Sequence, residues 1–304
     1  MKVIKISLVG LFIVALGVVG IQTLGVTFLN KQIQAQLDQT GLASFVRFHD
    51  VSIDPFTLSL SFHQVSFGNP TYPWLIFDSI TLNKGLFNNQ VLDVTFQLNQ
   101  TAIKKLSNDT QHLMKMAGLT ELAGNGRFTS LQQDQHVTSN MALDIKGLGQ
   151  FSLANQMKTQ LNAALIQEIR TDMLASMAFG QPEAIFLIYG DDITFYDIKL
   201  SFQDAGLIQH LWPTYGNENN IKKIMFERLK SDTHTWGLAE ATSQRNVEIA
   251  KTLTDYLTST DRSNTQHLEI SIHPDSPLSL GELYLLSKDK QLADKTNMHV
   301  AIKP

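Results

Sequence analysis

With no cysteine among its 304 residues, the chain cannot use disulfide staples, thiolate metal sites, a cysteine nucleophile or an acylated cysteine, so its stability must come from burial. Its 24 basic and 28 acidic side chains leave a formal net charge of −4 and form no block of like charge. That excludes a typical nucleic-acid binder, which needs clustered Lys and Arg against the phosphate backbone.

In chain order, the first feature is a run from Ile6 to Leu29 without a charged residue, placed behind Lys2 and Lys5. A bilayer core about 30 Å thick is crossed by roughly 20 apolar residues. The run continues past Ala15 and Gly17, further than the apolar stretch of a cleavable signal. Residues 1–30 are therefore expected to form a cytoplasmic tip and a single-pass transmembrane signal anchor. The basic flank keeps the amino terminus cytoplasmic and exports the bulk of the chain.

Residues 31–153 read as a strand-rich region. Ile33 and Leu37, four apart, predict a short helical continuation that stands the domain off the membrane. Val51 and Ile53, Leu58, Leu60 and Phe62, Val65 and Phe67, Ile80 and Leu82, and Val94, Phe96 and Leu98 then alternate with polar neighbours. Period-two alternation marks half-buried strands, and over 46–100 it predicts a meander of about five antiparallel strands with one apolar face. The segment 101–122 is expected to be partly helical, with Leu106, Leu113 and Met114 inward. Gly124-Asn125-Gly126 and Gly147-Leu148-Gly149 read as turns around a strand carrying Val137, Met141, Leu143 and Ile145.

Residues 154–304 read as helix-rich, with a few strands completing the sheet. Leu161, Leu165, Ile169, Met173 and Met177 stand at helical spacing. Ile185 to Tyr189 and Ile193 to Phe202 predict a strand pair turned by Gly190-Asp191-Asp192, and Asp204 is placed to cap a short helix before Pro213. Further helices are expected near 220–230 and 238–257, the latter with Val247, Ala250, Leu253 and Leu257 on one face. Leu268, Ile270 and Ile272 predict a strand, Ser279 to Glu282 a capping box, and Met298, Val300 and Ile302 a last strand in the same sheet.

Catalytic and metal constellations are weak. The nine histidines never form HxH, HExxH or a pair at helical ligand spacing, so no metal site is expected. Asp191-Asp192 with Asp197 reads as a turn rather than a paired-carboxylate centre. No GxSxG is present, and the two Gly-x-Gly pairs lack the third glycine and the lysine of a phosphate loop. No catalytic, cofactor-binding or metal residue is assigned, and the chain is read as a non-enzyme.

The stretch from Phe45 to Gln100, with FVRFHDVSIDPFTLSLSFHQVSFGNP followed by LIFDSITLNKGLFNNQVLDVTFQL, resembles the amino-terminal block of AsmA-like envelope proteins. Gly126-Arg127-Phe128, the strands to Gly147-Leu148-Gly149, LSFQDAGLIQHL and LEISIHPDSPLSLGEL resemble YdgA-type periplasmic proteins. The likeness covers residues 1–153 and scattered parts of 185–285. It implies a bacterial inner-membrane protein facing the periplasm, whose relatives organise phospholipid between membranes along strand-built grooves. This chain is shorter than such bridges and carries helices in place of their extra strands.

The combined expectation is an α+β fold: a transmembrane helix, then a largely antiparallel, twisted sheet, open or curled into a groove, with amphipathic helices packed on it. The expected function is envelope maintenance, by binding phospholipid or an envelope component in that groove. Leu58, Leu60, Phe62, Val94, Phe96 and Leu98 are the expected lining, because each trio shares one strand face; an ordinary core is the competing reading of the same residues. The alternative function is a non-catalytic adapter that docks a partner protein in an inner-membrane complex.

Overall fold

A computed structural model describes residues 26–39, 41–54, 56–84, 90–159, 172, 175–176, 178–181, 184–211, 244–259, 266–289 and 291–304. Among these residues the architecture is mostly β: one antiparallel sheet of 12 strands. The strands are β1 (Val46–Arg47), β2 (Asp50–Ile53), β3 (Leu60–Gly68), β4 (Pro73–Lys84), β5 (Val91–Ala102), β6 (Glu121–Gln133), β7 (His136–Ile145), β8 (Gly149–Thr159), β9 (Ile193–Asp204), β10 (His267–Ile272), β11 (Leu278–Ser279) and β12 (His299–Lys303). Their order is β1-β3-β4-β5-β6-β7-β8-β9-β10-β12, with β2 beside β3 and β11 beside β9.

The helices among the described residues are short: α1 (Val26–Gln39), α2 (Asn108–Met116), α3 (Ala184–Tyr189), α4 (Leu207–Leu211), α5 (Gln244–Thr258), α6 (Leu280–Lys288) and α7 (Leu292–Lys295). The expected α+β architecture led by a transmembrane helix is thus corrected to a mostly β one. Strands of 11 and 12 residues, β8 and β9, carry the sheet through the part of the chain where helices were expected to dominate. Residues 161–171 and 220–230, two of the expected helices, lie outside the described residues.

The membrane expectation is corrected as well. Among the described residues no helix is long and apolar enough to cross a membrane. The part of the apolar run that is described, Val26 to Leu29, opens α1, an amphipathic helix of 14 residues. Its Ile33 and Leu37 are buried against the sheet instead of standing a domain off a bilayer. The single-pass inner-membrane anchor, the signal-anchor assignment and the periplasmic location drawn from them therefore have no structural support. Residues 6–25 of the run lie outside the described residues.

One face of the sheet is the core. Leu82, Val94, Phe128, Met141, Leu153, Leu200, Ile270 and Val300 stand opposite one another on eight successive strands. The aromatic pairs on this face add directional contacts: Phe77 meets Phe96 edge to face at 5.6 Å, and Phe151 stacks on Phe202 at 4.6 Å. Geometries of this kind contribute about 0.5–1.5 kcal/mol each beyond burial. On β3 the buried residues Leu60, Phe62, Val65 and Phe67 shift phase by one. Gln64 has φ 51°, and on β4 the partners shift likewise from Phe77 to Ile80. An extra residue on each strand keeps the apolar side chains on one face and bends the sheet there.

A second cluster, Ile208, Ile249, Leu253, Tyr256, Leu268, Ala293 and Val300, packs α4, α5 and α7 onto the β9–β12 end. Tyr256 ties α5 to β9: its hydroxyl donates to the Phe202 carbonyl at 3.0 Å and accepts from the Asp204 amide at 3.2 Å. The expected caps form. Asp204 accepts from the Ile208 amide at 2.9 Å, and the capping box at α6 closes with Glu282 N–H on Ser279 Oγ at 3.1 Å and Ser279 N–H on Glu282 Oε2 at 2.7 Å.

Two local readings are corrected. Ile185 to Tyr189 belongs to helix α3, since a short apolar run does not by itself distinguish strand from helix. Gly124 and Gly126 are interior residues of β6 rather than a turn; the reason lies in their neighbours. A side chain at Gly124 would collide with the Asp144 carbonyl of β7, and one at Gly126 would run into the Phe96 ring and lie 2.6 Å from the Ala142 carbonyl oxygen. Glycine here permits close approach of strands.

Candidate functional site

Five of the six expected groove residues are core. Leu60, Phe62, Val94, Phe96 and Leu98 are between 0% and 4% exposed and belong to the main apolar cluster. Leu58 is separated from them, 52% exposed in the turn before β3 with φ 56°. Asp54 builds that turn by accepting from the amides of Phe56 at 2.8 Å and Thr57 at 3.3 Å. The Phe56 amide, and then Thr57, hold the Asp54 carboxyl below its ordinary value. The structure therefore does not bring the six together on one open surface.

The open surface is the opposite, polar face. Because side chains alternate along a strand, the residues between the apolar ones point away from the core, and the register aligns them across the sheet. Ser79 stands opposite Gln97, Gln97 opposite Asn125, Asn125 opposite Asp144, Asp144 opposite Gln150, and Gln150 opposite Gln203. His267 stands beside Gln203, since the next residue, Leu268, pairs with Phe202, and Lys303 of β12 stands opposite His267 in turn. At about 4.8 Å per strand, seven residues on β4–β10 span about 29 Å. Thr95, Arg127, Ala142, Ser152 and Ser201 make a parallel row one step along the strands. Together these two rows line an open trough of about 630 Å³.

The trough is flanked by two built-in ion pairs. Arg127 grips Asp93 with two hydrogen bonds, Nε to Oδ1 at 2.9 Å and Nη2 to Oδ2 at 2.7 Å. Lys199 meets Glu269 at 2.6 Å. The Arg127 hydrogen bonds draw the Asp93 carboxyl below its ordinary value against the opposing effect of burial, and Asn83 adds a further donor. Lys199 does the same for Glu269. In the floor of the trough Gln150 donates to Asp144 at 3.4 Å. Among the described residues, no side-chain hydrogen bond engages Gln97 or Asn125, both of which face solvent.

The pH consequence has a definite sign. Both carboxyls have lower values folded than unfolded, so their contribution to stability is present above about pH 4, the ordinary carboxylate range, and is lost as the pH falls through the folded values. Urea titrations between pH 7 and pH 3 should show stability falling over this range. Asp93→Asn should be less stable than wild type at pH 7 and should flatten the acid limb. An unchanged limb in that variant would remove Asp93 from the account.

Among the described residues, no group of three or more His, Asp or Glu side chains is arranged to hold a metal. Asp191 does not join Asp197 in a site; its carboxylate lies against Gly281 at the start of α6, while Asp197 stands 3.9 Å from His273 Nδ1. The polar trough was missed by reading only the apolar half of each alternation. The available signal was the other half: Gln, Asn, Ser and Thr recurring on the outward positions of successive strands, where a plain solvent face carries more Lys and Glu.

The chain belongs to a family described as "Uncharacterized protein", which matches residues 142–302. The matched part includes the end of β7, from Ala142 to Ile145, and all of β8 to β10, and thus about half of the trough. No curated protein matches the chain.

Proposed function

We propose that this chain is a non-catalytic docking module that receives a partner protein along the polar trough of its sheet. The observation that carries the reading is the row from Ser79 to His267, in which carboxamides with both donor and acceptor capacity are aligned on a rigid surface and two of them, Gln97 and Asn125, face solvent. A sheet whose reverse is a packed core is held in place by that core, so a partner pays little ordering cost on this side. The apolar face, which an acyl chain would need, is filled by side chains of the protein itself.

The test uses a photo-crosslinking residue at Gln97, with the same group at the exposed Ser52 of β2 as the comparison. A single stoichiometric protein adduct from Gln97, absent from Ser52, is expected. The double variant Gln97→Ala, Asn125→Ala should weaken binding of that protein by about thirtyfold, two hydrogen bonds being worth about 1 kcal/mol each. Its stability should stay within about 0.5 kcal/mol of wild type, as is usual at surface positions. Co-purified lipid, detected by mass spectrometry with no protein adduct at Gln97, would overturn the reading.

A further inference from the structure

The two margins of the sheet differ. At one, β1 has two residues and β2 four, both paired with β3 and separated by Phe48 and His49, and α1 lies beside β2. Interruption and cover of this kind guard a sheet edge against further pairing. At the other, β12 pairs with β10 over five consecutive residues, His299 to Lys303, without a shift in register, and among the described residues no strand pairs with its outer side. Helix α5 packs against β12 and holds it in place. The outward N–H and C=O groups of such a strand are a template for one more.

The side chains at this margin are unfinished in the same direction. Val300 is buried, but Ile302 and Met298, and Ile270 on the neighbouring strand, are only half-buried, whereas Val94, Phe128 and Met141 on the core face of the central strands are buried. On the opposite face β12 presents His299, Ala301 and Lys303. Among the described residues Lys303 has no ion pair, since Glu269, one strand inward, is bonded to Lys199 at 2.6 Å.

We infer that β12 accepts one further strand from a partner protein, an extended segment in which apolar residues alternate with Asp or Glu. Main-chain hydrogen bonds to the outer side of β12 supply the affinity and the alternating side chains supply the selectivity. The apolar set completes the cluster beside Val300 and Ile302, and the acidic set meets His299 and Lys303, opposite charges across a strand pair being favourable and like charges unfavourable. A second copy of this chain fits less well. Paired about Ala301 it would set Val300 opposite Ile302 but His299 opposite Lys303, with no carboxylate on either strand. The inference does not rest on the docking proposed for the trough.

Fluorescence anisotropy of the full chain with labelled probes tests it: the peptide Ser-Glu-Val-Glu-Val-Glu-Ser, the same peptide with Lys in place of Glu, and the Glu peptide with its backbone amides methylated. The Glu probe should bind most tightly and slow hydrogen exchange at residues 299–303, and the methylated one should not bind. Lys303→Glu should weaken the Glu probe by about fivefold, an attraction giving way to a repulsion of similar size, and strengthen the Lys probe, with a thermal midpoint close to wild type. Gln97→Ala, Asn125→Ala should bind the Glu probe as wild type does. Loss of binding in that variant would move the probe to the trough and overturn the edge assignment, as would equal binding of the methylated probe. Glu and Lys probes that bind alike and ignore Lys303→Glu would overturn the acidic preference. If no probe binds, or if sedimentation shows a dimer that excludes the Glu probe, the partner strand is overturned altogether.

Discussion

Replacing Leu60 by aspartate should leave the protein without a cooperative thermal transition, as followed by circular dichroism together with size-exclusion chromatography. Leu60 is 0% exposed; it faces Leu82 across β4 and Ile53 across β2. The cluster around it consists of aliphatic and aromatic side chains. Loss of the buried isobutyl group alone costs about 2–5 kcal/mol. The carboxyl put in its place must either stay charged without a partner or take up a proton in an apolar medium, which adds several kcal/mol more. Against the roughly 5–15 kcal/mol that holds a domain together, that sum is decisive. Leu60→Val, which keeps most of the volume, should cost about 1 kcal/mol and retain the transition. A folded, cooperative Leu60→Asp protein would show that this face is open, and would restore the groove that the sequence suggested.

The second large effect is expected at Gly126, where valine should be more damaging than an internal strand position ordinarily allows. Valine is a good strand former, so propensity alone predicts a gain. Sterics predict the reverse, because the first carbon of the side chain already meets the Phe96 ring and the Ala142 carbonyl. Phe96 is 3% exposed and packed edge to face against Phe77, so it has no room to retreat, and the carbonyl belongs to the ladder between β6 and β7. Overpacking of this kind costs about 1–3 kcal/mol, with the branched side chain at the upper end. Gly41→Asn is the matched control. Its φ of 72° suits asparagine and nothing lies within 4 Å of the added carbon, so the loss should stay under about 1 kcal/mol. Equal thermal midpoints for the two variants would refute the close-approach account of Gly126.

How far the fold was legible follows from what each signal measures. The alternation over Leu60–Phe67, Ile80–Leu82 and Val94–Leu98 reports burial on one side of a strand, and five strands indeed run from Val46 to Ala102. The same periodicity located β10 and β12, and hydrogen-bonding chemistry located the caps at Asp204 and Ser279. Periodicity failed where it is ambiguous: Ile185 to Tyr189 has the apolar content of either element and became α3. It also failed where the cause is tertiary. Gly124 and Gly126 look like turn residues until the strands on either side of β6 are in place to exclude a side chain. The uncharged run at the amino terminus met the length criterion for a membrane span, a criterion blind to what the following residues do. Ile33 and Leu37 show α1 spending its apolar stripe on the sheet.

The candidate site was less legible than the fold. Leu60, Phe62, Val94, Phe96 and Leu98 were singled out for sharing strand faces, and they do share one, but a shared apolar face is evidence of burial before it is evidence of a ligand. The trough depends on register. Gln97, Asn125, Asp144, Gln150 and Gln203 are scattered over more than a hundred residues of sequence and meet only because five strands pair without slipping at those positions. A slip of one residue would send each of them to the other face.

From β3 to β10 every strand lies beside its predecessor in the chain, and this has a kinetic corollary. Each newly finished strand finds its docking edge already formed by the one before it, so the sheet can lengthen by accretion from the amino-terminal side as the polypeptide is synthesised. Closing short loops costs little chain entropy, and growth would slow only where the chain between Thr159 and Ile193, and then between Asp204 and His267, must be gathered in. The trough, which needs strands on both sides of the first of these gaps, is therefore among the last surfaces to come into being during biosynthesis.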